Sequence, residues 1–150
     1  MGNNAALTPD EVAALHRHAT QAAENSYSPY SRFRVGAALL LHADTRQPGE
    51  IVAGTNVENA SYRLTSCAEQ AAIASAVTLY GAQIRIRAIA IVNLNGAACM
   101  PCGACRQTIL EFASPDTTIF YPNERDEVVQ TTLGALLPAA FSLELGSHSS

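Results

Sequence analysis

Apolar residues recur at helical spacing in LTPDEVAALHRHATQAAENS (7–26), where Val12, Leu15, Ala19 and Ala22 fall on one stripe. Thr8 stands as N-cap, Pro9 at the first helical position and Glu11 where it closes a capping box. This predicts a first helix with one buried stripe and with His16 and His18 on its flanks. SYSPYS (26–31) interrupts the pattern with turn residues. RFRVGAALLL (32–41) then reads as a buried strand, HADTRQPGE (42–50) as a hairpin-like connection and IVAGTNVE (51–58) as a second strand. SCAEQAAIASAVTLYG (66–81) is an Ala-rich helix with Ser66 in front and Gly81 behind. IRAIAIVN (86–93) is a β-branched strand suited to burial on both faces. PCGACRQTILEFASP (101–115) is a third helix between two prolines, and TTIFY (117–121) a fourth strand. EVVQTTL (127–133) suggests a short last strand, LGALLP (133–138) a brief helix and LELGSHSS (143–150) a frayed end, which sets His148 aside as a ligand. Neither an internal repeat nor a low-complexity linker appears. The order α-β-β-α-β-α-β-(β)-α predicts one layered α/β domain over 1–150, with flexible ends near 1–6 and 144–150.

Composition narrows the function. At 150 residues and 48% hydrophobic, the chain can bury one sizeable core. It lacks an apolar run of the ~18 residues a membrane span needs. The start MGNNAALTPDEV does not read as a secretion signal, and Ala6 stands where a myristoylation motif after Gly2 needs Ser or Thr. The net charge is −4 with no Lys/Arg cluster, so nucleic acid is not an expected partner and a small neutral or cationic ligand is. Four cysteines without a secretion signal point to reduced thiols in a cytoplasmic setting, serving metal binding or catalysis.

The thiols concentrate in CMPCGACRQ (99–107), where Cys99, Cys102 and Cys105 form two overlapping C-x-x-C pairs. Pro101 disfavours a helical Met100, which leaves Cys99 before the helix and Cys102 and Cys105 on its first turns. Residues three apart share a helix face, so these two thiolates can reach one ion. Cys67, opening the preceding helix, supplies a third ligand, and three protein ligands on zinc leave a fourth position for water. Glu69, two residues on, is placed to move protons. Simpler readings exist: Ser66 and Glu69 also form a capping-box pair, Cys67 alone suits a core, and Pro101 and Gly103 suit a turn. The conjunction of C-x-E with P-C-x-x-C, each opening a helix, outweighs them, because helix N-termini stabilise thiolate charge. It is the signature of zinc deaminases, whose Glu shuttles protons without binding the metal.

SPYSRFRVGAAL (28–39), NVENASY (56–62), CAE (67–69), PCGACRQ (101–107) and LLPAAF (136–141), in this order and spacing, resemble the blocks of the small homotetrameric cytidine deaminases across nearly the whole chain. The resemblance implies a three-layer α/β/α sandwich around a five-stranded mixed sheet, and hydrolysis of cytidine and deoxycytidine to the uridine nucleosides with release of ammonia. It implies one Zn²⁺ on Cys67, Cys102 and Cys105, and Glu69 as the catalytic proton shuttle. Asn56 and Glu58 would bind the ribose, Phe33 the pyrimidine ring, and Ala68 would line the substrate site. Phe141 matches an aromatic that a neighbouring subunit lends to the site.

Two positions depart from the family pattern. Gln70 stands where Arg commonly follows CAE, removing a positive charge beside the thiolates; it can still donate hydrogen bonds to sulfur, and Arg106 is the candidate to restore the charge. Arg63 replaces a smaller residue. The competing readings are a zinc deaminase for another cytosine-containing small molecule, and a non-catalytic scaffold closing a structural site with all four cysteines.

Overall fold

The computed structural model describes residues 6–43 and 49–143. The expectations placed on Gly2, on the middle of the 42–50 connection and on His148 lie outside the described residues. Along the chain run α1 (Pro9–Ala23), β1 (Val35–Leu41), β2 (Ile51–Thr55), a 3-10 turn (Tyr62–Leu64), α2 (Ala68–Tyr80), β3 (Ile86–Asn93), α3 (Gly103–Leu110), β4 (Thr118–Pro122), β5 (Val128–Thr132) and α4 (Leu133–Leu136). The 3-10 turn is the one element that the pattern of apolar positions did not signal.

α1 begins as the sequence predicts. Thr8 Oγ1 accepts the Glu11 N–H at 3.1 Å, and Glu11 Oε1 accepts the Thr8 N–H at 2.9 Å. The carboxylate also pairs with Arg87 at 2.9 Å. The Thr8 backbone bond, with Arg87 beside it, holds the Glu11 carboxyl below its ordinary pKa. The buried stripe is Leu15, Ala19 and Ala23, so Ala23 rather than Ala22 is its fully buried end.

The sheet order is β2-β1-β3-β4-β5. β1 pairs antiparallel with both β2 and β3, β3 parallel with β4, and β4 antiparallel with β5. Every residue of β1 is buried because both sheet faces are covered. Ala37, Leu39 and Leu41 join Ile89, Ile91 and Ile119 beneath Ala72, Ile73 and Ala76 of α2 and Ile109 of α3. Ala38 and Leu40 join Ala88, Ala90 and Phe120 beneath Leu15 and Ala19 of α1. The result is the expected three-layer α/β/α sandwich on a five-stranded mixed sheet.

Topology also places the helix ends. β2 and β3 both run antiparallel to β1 and therefore parallel to each other, so their C-terminal ends lie at one edge of the sheet. α2 and α3 follow these strands and open at that edge. The approach of α2 is close: a Cβ on Gly54 of β2 would lie 2.4 Å from Ala72 N and 2.8 Å from Ala68 O. Real Cβ atoms do not tolerate such contacts with backbone, so glycine is what lets the first turn of α2 rest on the sheet.

Gly54→Ala is therefore expected to push α2 outward and to cost about 1–3 kcal/mol, lowering the melting midpoint by about 2–4 °C per kcal/mol. Gly103→Ala, whose Cβ meets nothing within 4 Å, should stay within about 0.5 kcal/mol of the parent. Thermal unfolding of the two variants checks the contrast.

Candidate active site

The two helix starts carry the thiols. Cys67 is the N-cap of α2 and Cys102 the N-cap of α3, both with extended backbone. Cys105 sits in the first turn of α3, and its N–H donates to Cys102 Sγ at 3.4 Å. Cys102 thus reaches its partner from just outside the helix, as a cap, rather than from a shared helical face. The Sγ atoms of Cys67, Cys102 and Cys105 all lie within 4.8 Å of one another, and no fourth His, Cys, Asp or Glu joins them among the described residues. Thiolates about 2.3 Å from a tetrahedral zinc are about 3.8 Å apart, so the trio fits that ion with small movements. A soft donor set of three sulfurs also favours zinc over harder cations. Without metal, the Cys105 thiol donates to Cys67, which brings Cys67 down to about 7 and pushes Cys105 up.

Glu69 is 4% exposed, in the first turn of α2. Burial raises its carboxyl pKa, against the opposing pull of its own backbone N–H and the Cys105 thiol. It does not cap the helix. The residue reaching back is Gln70, whose Oε1 accepts the Cys67 N–H at 3.1 Å. The capping-box reading of Ser66 and Glu69 is thereby replaced: the cap is one residue later, and Glu69 is left to face the thiols.

Cys99 stands apart from the trio. It is half-buried before α3, its N–H donates to Pro122 O at 3.0 Å, and burial pushes its thiol up to about 11. Four thiols do not close one structural site here.

A cleft of about 370 Å³ opens onto the trio and is lined by Phe33, Val35, Asn56, Glu58, Ala68, Glu69, Cys99 and Met100 among others. That volume lies within the range of small-ligand pockets. Its polar walls are held in place. Asn56 Oδ1 accepts from Ser26 Oγ at 2.6 Å and from Val35 N–H at 3.1 Å, while Nδ2 donates to Phe33 O at 2.8 Å. The amide oxygen is thus fully engaged, and the second Nδ2 hydrogen is what Asn56 has to offer. Glu58 Oε1 accepts the N–H groups of Tyr30 (2.9 Å) and Ser31 (3.1 Å), and Oε2 accepts from the Ser31 hydroxyl. The Ser31 hydroxyl, then the two backbone bonds, lower the Glu58 pKa and keep it an anion. Sequence reasoning gave no role to Ser26, Tyr30 or Ser31, reading SYSPYS as a break and Tyr30 and Ser31 only as part of a resembling block. Their partners lie 27 to 30 positions further on, and no local periodicity marks such pairs.

The remaining candidates sit further out. The Arg106 guanidinium donates to Pro101 O and Leu136 O, both at 2.7 Å, so it ties the segment before Cys102 to α4. Arg63 is exposed in the 3-10 turn. Phe141 is 69% exposed and outside the lining of its own chain's cleft, while its carbonyl accepts from Gln107 Nε2 at 2.8 Å.

A mixed sheet whose helices bring three thiols and a buried carboxylate to one cleft defines a deaminase-type zinc domain. Comparison with known proteins narrows the class. The family described as "Cytidine and deoxycytidylate deaminase zinc-binding region" matches residues 9–121. The cytidine deaminase of Halalkalibacterium halodurans is 42% identical over 87% of this chain and 93% of its own. That of Mycobacterium tuberculosis is 45% identical over 87% and 89%. Among solved structures, the cytidine deaminase of Burkholderia pseudomallei superposes with a TM-score of 0.76 at 40% identity, covering 90% of this chain and 100% of that one. A crystal structure of the M. tuberculosis enzyme gives 0.73 at 43% identity, covering 89% and 98%. The chain belongs to the cytidine deaminase family.

The division of the cysteines is directly measurable. Cys99→Ser should retain about one zinc per chain, whereas Cys102→Ser, whose hydroxyl can still cap α3 but which takes a thiolate from the trio, should lose it. Metal analysis of the two purified variants decides; zinc lost equally from both would contradict the three-thiol assignment.

Proposed function

We infer that this protein hydrolyses cytidine and deoxycytidine to uridine and deoxyuridine, releasing ammonia, with one zinc ion held by Cys67, Cys102 and Cys105. The observation that carries this reading is the Glu69 carboxyl, buried beside the three thiols at the floor of a nucleoside-sized cleft. When bound, zinc would supply a Lewis acid that lowers the pKa of a water towards about 7. Glu69 accepts the proton of the water that attacks C4 of the base and delivers it to N3. Glu69 then takes the remaining proton from the new C4 hydroxyl and passes it to the amine, so that the C4–N bond breaks, ammonia leaves and C4 keeps a carbonyl oxygen. Burial favours this role, because the protonated carboxyl is not strongly disfavoured and can release its proton to the base.

The walls orient the nucleoside. Asn56 donates its free Nδ2 hydrogen to the sugar, and Glu58, already ionised and braced by the turn at Ser31, accepts from a ribose hydroxyl. Phe33 packs against the ring. Ala68 is the first residue of α2, where backbone N–H groups lack intrahelical partners and are available to a carbonyl of the base. Phe141 completes the site of a neighbouring copy in a homotetramer, which its exposed ring and its distance from its own cleft favour. Unpaired thiols at the metal site suit a reducing, cytoplasmic compartment; among the described residues, no helix is long and apolar enough to cross a membrane.

Ammonia release should be seen with cytidine and deoxycytidine and be weak with cytosine, which lacks the sugar, and with CMP, whose phosphate brings negative charge to an acidic site. Glu69→Gln should lower kcat by about 10²–10⁴-fold with zinc content unchanged. Full activity in that variant, or zinc binding without ammonia release from any nucleoside in the parent, would refute the reading.

A further inference from the structure

α3 does more than present two thiols. The residues that follow Cys105, Arg106 and Gln107, both reach to the C-terminal segment: Arg106 Nη1 donates to Leu136 O at 2.7 Å and Gln107 Nε2 to Phe141 O at 2.8 Å. Between these two anchored carbonyls the chain makes a strained turn, in which Ala139 adopts φ 51, a left-handed conformation that L residues rarely take. Such a conformation persists only where its surroundings over-determine it, and here the anchors lie on either side of it. The same guanidinium donates through Nε to Pro101 O at 2.7 Å, the residue before Cys102. The segment therefore has its backbone bound to the metal helix while the Phe141 ring stands 69% exposed. A bond made to the carbonyl leaves the side chain free to project outward.

We propose that Gln107, supported by Arg106, is a positioning residue that presents the Phe141 ring to the active site of a second copy. Substrate binding in one subunit then depends on the metal helix of another. This rests on the reading of Phe141 as an aromatic lent between copies, and adds the device that aims it. The ring meets bound nucleoside and not the reacting atoms, so misaiming it weakens ground state and transition state together. The signature is a raised KM with kcat retained.

Two variants isolate the bond. Gln107→Met keeps length and bulk without a donor, and Gln107→Glu keeps the shape but puts a carboxylate against the Phe141 carbonyl. Each should raise the KM for cytidine about three- to tenfold, with kcat, zinc content and melting midpoint close to the parent. Phe141→Ala should raise KM at least as much, and adding Gln107→Met to it should bring no further rise, because both changes remove the same contact. An effect of Gln107→Met on kcat or zinc content instead of KM, or an additive rise in the double variant, would overturn the positioning role. If Phe141→Ala raises KM and neither Gln107 variant does, the role of Gln107 fails while that of Phe141 stands. If Phe141→Ala leaves KM unchanged, the lent aromatic itself is wrong and the proposal falls with it.

Discussion

Three sulfur atoms within 4.8 Å of one another are the constraint around which this structure is organised. Bringing thiolates together is unfavourable unless something positive faces them, and two helix N-termini supply part of that field. The requirement therefore falls on topology. Because β2 and β3 run in the same direction on either side of β1, the helices that follow them open at one edge of the sheet. Gly54 then allows α2 to settle until its first turn touches the strand beneath. A side chain there would move Cys67 and Glu69 together, since both lie at the start of the displaced helix.

The cleft shows the same economy of motion. Each polar side chain facing the ligand space is bonded behind by protein groups that fix what it has left to offer. Asn56 is restrained through three hydrogen bonds that leave it a donor, and Glu58 through Tyr30 and Ser31, which leave it an acceptor. Polar groups aligned before the ligand arrives need little reorganisation when it does, so more of the interaction energy remains for binding and for the reaction. Gln70 belongs to this logic too. Where a cation would have offset thiolate charge, it instead satisfies the N–H of Cys67 and steadies the ligand's backbone. Arg106 is committed to the carbonyls of Pro101 and Leu136 and binds the segment before Cys102 to α4.

Much of this was legible in the residues alone, and for local reasons. Capping by Thr8 and Glu11 acts over three positions, and the unbroken apolar run of β1 reports a strand buried on both faces. The C-x-E and P-C-x-x-C patterns place thiols and carboxylate within one turn of a helix start. In each case the physical partners are near neighbours in the chain, so spacing reports geometry. The sequence by itself thus determined the α-helices and strands, their order, the three thiols as a set and Glu69 as their companion.

What the tertiary structure decided are the relations between distant segments. It moved the cap of α2 from Ser66 to Cys67, and so released Glu69 from the capping role that its spacing also allowed. It drew Ser26, Tyr30 and Ser31 onto residues 27 to 30 positions away, and it separated Cys99 from two cysteines with which it shares a motif. It also turned Gln107 towards the carbonyl of Phe141, 34 positions along the chain. Such contacts have no period to read, because they are set by how the sheet stacks its helices and where each connection crosses the edge. Only the packed layers fix which hydrogen bonds remain for a ligand once the protein has used its own.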